Sequence, residues 1–160
     1  MSMNYTATGP VGELVNTSQP SFLVSRVSGD NVTDMAVGTL HYLAWGATEV
    51  WDQGADFATP AFTAPVTGKY QLNVMCQLNK TRANQGYYDL RLYTSNTLYQ
   101  NFQSANQNDN TGLYDSFQCS MLVDMDASDT ANVAMYMDGG TAATDLVSGG
   151  GSWFGGFLVH

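Results

Sequence analysis

The sequence predicts an all-β domain, a jelly-roll sandwich of about ten short antiparallel strands. Three observations carry that expectation. Apolar and polar residues alternate with a period of two, most clearly Tyr70, Leu72, Val74, Cys76 and Leu78 against Gln71, Asn73 and Gln77. Turn-forming residues interrupt the chain at roughly eight- to twelve-residue spacing. No window repeats apolar residues at the ~3.6-residue period of an amphipathic helix.

Taken in order, residues 1–20 show neither period and carry Gly9, Pro10, Gly12 and Pro20 among small polar residues. They are expected to form an extended arm studded by Tyr5, Val11, Leu14 and Val15, leading into a head over 21–160. Phe22 to Val27 is the first expected strand, and Gly29, Asp30 and Asn31 form a polar connection. Thr39 to Trp45 has apolar residues on both alternating faces, as expected of a strand covered on both sides. Glu49 to Phe57 follows, with a turn at Gly54.

Pro65, which lacks a ladder donor, and Gly68, which tolerates positive φ, place a corner at 64–68 ahead of the long Tyr70–Leu78 strand. Tyr88 to Tyr93 reads as one-sided, with Asp89, Arg91 and Tyr93 facing solvent. Ser95 and Asn96 turn it into Thr97 to Phe102. Gln103 to Gly112 is almost free of apolar residues and reads as a surface loop. Tyr114 to Asp124 and Asn132 to Met137 are two further strands joined by a turn at 126–129. Gly149, Gly150 and Gly151 form a flexible lead into a last strand from Ser152 to Val159.

Little in the chain points to catalysis. The two histidines, His41 and His160, stand apart from any Ser, Cys or Asp grouping, so no nucleophilic triad is expected. Asp52 and Asp56 are close enough in sequence to suggest a glycosidase pair but belong to a turn-containing segment. Asp124, Asp126 and Asp129 offer hard oxygen ligands, a weak calcium alternative whose spacing departs from the EF-hand pattern; otherwise no metal or cofactor is expected. Cys76 and Cys119 lie on apolar strand faces and read as free thiols, with a cross-sheet disulfide as the alternative.

Fourteen acidic against five basic residues give a formal net charge of -9, which repels phosphate backbones and argues against nucleic acid. No signal peptide and no membrane-spanning apolar run stands out, so a soluble chain made in the cytosol is expected. Trp45, Trp51, Trp153, Phe154, Tyr70, Tyr88, Tyr93 and Tyr136 are more aromatics than the alternating core faces require, because Trp45, Tyr93 and Trp153 fall opposite the expected core side.

The spacing Phe62, Pro65, Gly68, Tyr70 resembles the signature strand start of the globular heads of complement C1q and its TNF-like relatives. Ser152 Trp153 Phe154 Gly155 Gly156 Phe157 Leu158 Val159 resembles that family's closing strand, and Trp51 Asp52 Gln53 Gly54 Ala55 Asp56 Phe57 resembles the variant found in bacteriophage structural proteins. The likeness covers about residues 21–160. It implies a C1q/TNF-like jelly roll that packs as a homotrimer around one sheet, with Tyr70, Tyr93, Tyr136, Trp153 and Phe154 as candidate interface residues. The expected role is a non-enzymatic virion component: a trimeric decoration or cement protein assembled in the host cytoplasm and bound by its arm to the major capsid protein. The alternative is the receptor-binding tip of a phage fibre, recognising a host glycan through 103–112 or the surroundings of Trp153.

Overall fold

The computed structural model describes residues 19–26, 32–45, 49–79, 86–104, 114–140 and 143–159. The residues described form two antiparallel sheets and no helix. In chain order the strands are β1 (Ser21–Arg26), β2 (Val32–Met35), β3 (His41–Tyr42), β4 (Glu49–Gln53), β5 (Phe57–Ala58), β6 (Ala61–Thr63) and β7 (Gly68–Asn79). They continue with β8 (Tyr87–Thr94), β9 (Leu98–Ser104), β10 (Asp115–Met125), β11 (Thr130–Asp138), β12 (Thr144–Leu146) and β13 (Gly149–Leu158).

Sheet A is built around β7. One edge of β7 pairs with β10 from Gly68 to Leu78, and the other pairs first with β13 and then with β12. Beyond β13 lie β1 and β4, and beyond β12 lies β2. Sheet B runs β9, β8, β11, after which β6 and β3 share the next edge and β5 closes it. Alternation explains why the long strands form: Tyr70, Leu72, Val74, Cys76 and Leu78 all face the core, as do Leu90 and Leu92 of β8 and Val133, Met135 and Met137 of β11.

Aromatic rings bind the two layers together. Phe22 stacks on Phe62 at 4.5 Å and on Phe57 at 5.4 Å, and meets the edge of Phe154 at 5.0 Å. Each such pair adds about 0.5–1.5 kcal/mol beyond its burial. The Pro65 corner is pinned to the β10–β11 turn, where Ala64 N–H donates to the Asp129 carbonyl and Ser128 N–H to the Ala64 carbonyl, and it is tied to β7 by the Tyr70 hydroxyl, which donates to the Val66 carbonyl.

Several expectations are corrected. Only His41 and Tyr42 of the Thr39–Trp45 stretch pair as a strand, and just one of its faces is covered: Leu43 and Trp45 turn into the core while Tyr42 stays exposed. The Leu43 N–H donation to Val133 fixes that choice. Gly68 has no positive φ and opens β7 as ordinary strand. The Gly149–Gly151 run is part of β13 rather than a flexible lead, with positive φ only at Gly149. Asp89 is fully buried although its side of β8 faces outward. β2 and β12 were not expected at all. Cys76 and Cys119 are free, as expected, and burial pushes both thiol pKa values up. The expected arm, and most of the expected 103–112 loop, lie outside the described residues.

Candidate functional site

The core accounts for the inner surfaces, which leaves the two outer faces as the broad candidate surfaces among the described residues. On sheet A the ladder sets three rows side by side: Phe157, Gln71 and Leu122; Trp51, Leu23, Gly155, Asn73 and Ser120; Ser25, Trp153, Met75 and Gln118. None of these side chains is charged. Trp51, Leu122 and Phe157 are 51%, 52% and 44% exposed. A Cβ on Gly155 would stand 2.9 Å from both Leu23 Cδ1 and the Phe22 carbonyl, so glycine keeps the floor of this face low. Leu23, Trp51, Trp153 and Phe157 line a cavity of about 220 Å³ there. Beside it, Gln71 Nε2 donates to Ser120 Oγ at 3.0 Å, and that hydroxyl donates to Asn73 Oδ1 at 2.7 Å.

The outer face of sheet B is different in kind. Asp89 stands between Tyr136 and Phe102 in the ladder. Its Oδ2 accepts from Arg91 Nε at 2.6 Å and from Gln100 Nε2 at 2.9 Å. The Arg91 guanidinium lies 5.0 Å over the Tyr136 ring and donates to the Tyr93 hydroxyl at 3.4 Å. Desolvation works to lower the Arg91 pKa, but the hydrogen bonds to Tyr93 and Asp89 together with the charges of those groups outweigh it and hold it above its usual range. Tyr93 packs on Tyr42 at 5.7 Å, and Tyr87 packs on Phe102 at 5.5 Å and Tyr136 at 6.1 Å.

The expected interface residues therefore separate. Trp153 is on the outer face of sheet A, whereas Tyr93 and Tyr136 are on the outer face of sheet B. Tyr70 and Phe154 are fully buried in the core and have no surface to offer a partner; Tyr70 is consumed by Phe62, and Phe154 by Phe22 and Trp45. Trp45, expected opposite the core, is 1% exposed. Tyr5, Val11, Leu14 and Val15 lie outside the described residues. Leu23, Leu122 and Phe157 on one face, and Tyr42, Tyr87 and Phe102 on the other, were not singled out. Their signal was the odd-even partner of each core residue, readable once one face of a strand had been assigned.

The acidic candidates serve the backbone. Asp52 accepts from the N–H groups of Asp56 and Phe57 at 3.1 and 2.9 Å, closing the turn between β4 and β5. Asp129 Oδ2 accepts from Asp126 N–H and Asn96 Nδ2 at 2.9 and 2.8 Å. Among the described residues, no three His, Cys, Asp or Glu side chains, including Asp124, Asp126 and Asp129, are grouped to hold a metal. His41 Nε2 sits 3.0 Å from the Ala36 carbonyl.

Comparison with solved structures fixes the architecture. The globular domain of zebrafish complement 1qA is similar with a TM-score of 0.62 and 17% identity, over 89% of this chain and 98% of that one. The chain has the C1q/TNF-like jelly-roll fold. Murine APRIL, crystallised at pH 8.5, is similar with a TM-score of 0.59 and 13% identity, over 89% of this chain and 100% of that one. The structure of murine APRIL at pH 8.0 gives a TM-score of 0.60 at 14% identity. No protein-family model and no curated protein matches the sequence.

Proposed function

We propose that the chain is a non-enzymatic viral structural protein, a homotrimeric decoration or cement protein that binds the exterior of a bacteriophage capsid. The observation that carries the assembly half is the set of three uncharged rows on the outer face of sheet A, bounded at one end by Lys69 and Asp124. Interface cores are depleted in charge and enriched in Trp, Phe and Met, which is the composition of the rows through Trp51, Trp153, Met75 and Phe157. Three copies that turn this face inward bury its exposed rings and leave sheet B outward. This is the packing around one sheet that the family resemblance implies.

The attachment half rests on the phage-type Trp51–Phe57 segment and on where the leading peptide leaves the head. Gln19 Nε2 donates to the Leu158 carbonyl, and Leu158 N–H donates to Pro20. Gln19 and Pro20, at the base of the proposed arm, thus lie beside the end of β13, on one end of the head. Simultaneous arm contacts add as avidity where the geometry lets all three engage.

Light scattering tests the first half: the expected mass is three times the single-chain 17.3 kDa, and a mass near 17.3 kDa overturns the assembly claim. Deletion of residues 2–19 tests the second. The truncated head is expected to keep its trimeric mass and to stop co-sedimenting with capsid shells.

A further inference from the structure

We propose that the outer face of sheet B is a binding platform for a neutral saccharide. Two ring pairs, Tyr42 with Tyr93 and Tyr87 with Phe102, bracket a polar centre made by Arg91, Asp89 and Gln100. Tyr42 and Phe102, at the two ends, are 55% and 58% exposed. Rings at both ends suit the apolar C–H faces of consecutive sugar units, and the polar centre suits the hydroxyls between them.

Two orphaned acceptors set the chemistry of the ligand. Asp89 Oδ1 and Asn132 Oδ1 are buried without a hydrogen-bond partner. Alternation places both on this face, Asn132 opposite Tyr93 and Asp89 opposite Tyr136. A buried acceptor left unpaired is costly, so a ligand rich in O–H donors gains if its binding displaces the side chains covering these atoms and supplies the missing bonds. Anions fit poorly: Arg91 is already paired with Asp89, and the whole chain carries a net charge of -9. A hydroxyl-rich, uncharged chain meets both conditions. The site is complete within one copy, so the proposal does not depend on trimerisation or capsid attachment.

The test uses the full chain on an array of neutral and sialylated oligosaccharides, followed by calorimetric titration with the free form of a neutral oligosaccharide that binds. The expected result is binding to a neutral structure, with Kd rising about ten-fold or more in Tyr42→Ala and in Phe102→Ala, the loss typical of truncating an aromatic anchor. Trp153→Ala, on the opposite face, is expected to leave the Kd of the free oligosaccharide unchanged. Thermal melts of both ring variants confirm that they fold. The proposal is overturned if no neutral oligosaccharide binds, if only sialylated ones bind, or if Kd is unmoved by both ring substitutions. An equal loss in Trp153→Ala also overturns it.

Discussion

The two outer faces of the sandwich are built on the same alternation yet differ in how their side chains are held. On sheet A the central rows are uncharged, with exposed rings beside a neutral Gln71, Asn73 and Ser120 cluster, and the charged Lys69 and Asp124 stand at one end. On sheet B the rings are tied to one another and to a buried ion pair through Arg91. An uncharged, loosely held surface is cheap to cover with another protein surface. A surface already organised around a fixed carboxylate keeps its shape and offers a small ligand a ready geometry.

That contrast can be broken most sharply at Asp89. Asp89→Ala strands Arg91 and Gln100, and is expected to cost about 3 kcal/mol, at the lower end for breaking a buried pair because Arg91 keeps some solvent contact. Urea unfolding with an unchanged m-value would register it; a loss under about 0.5 kcal/mol would mean that the pair does not organise the face. On sheet A the corresponding weak point is backbone rather than charge. Gly155→Ala drives a methyl against the Phe22 carbonyl and is expected to cost about 1–3 kcal/mol in the same assay. Trp51→Ser should lower the mass seen by light scattering while costing an isolated head only the packing of the ring's covered half, about 1 kcal/mol.

The smallest effect lies where the two sheets are joined, in the β4–β5 turn. Burial, then the neighbouring Asp52 charge, raises the Asp56 pKa above its ordinary value of 3.8. A raised carboxyl favours folding when protonated, and that contribution is lost as pH rises through the folded value. Asp56→Asn is therefore expected to raise Tm slightly at neutral pH, with the gain vanishing below pH 3.8. A gain that persists in acid would point to a cause other than ionisation.

What the sequence disclosed follows from how local each determinant is. β7, β10 and β11 announce themselves because burial repeats every second residue over nine or more positions. β2 and β12 are too short to show a period, and their pairing depends on a distant group: Asp34, at φ 56°, donates its N–H to Asp145 Oδ1 across 111 residues. The Thr39–Trp45 stretch carries apolar groups on both parities, and only its hydrogen bond to β11 decides which side turns inward. Asp89 has the sequence signature of a solvent-facing residue because its cover, Arg91, Gln100 and the flanking rings, is assembled from three strands. For the same reason neither face could be read as a site: each is a row across strands, whereas sequence motifs run along them.

The seating of β13 between β1 and β7 has a consequence for biosynthesis. Sheet A stays in two pieces until the ribosome has delivered residues 149–158, because β1 reaches β7 only through them. Until then β1 is held by β4 alone, and the sheet closes only through the long-range pairing of β13, a step that is slow for a topology of this kind. A message truncated before Gly149 would yield chains with open edges prone to sticking together rather than smaller working heads.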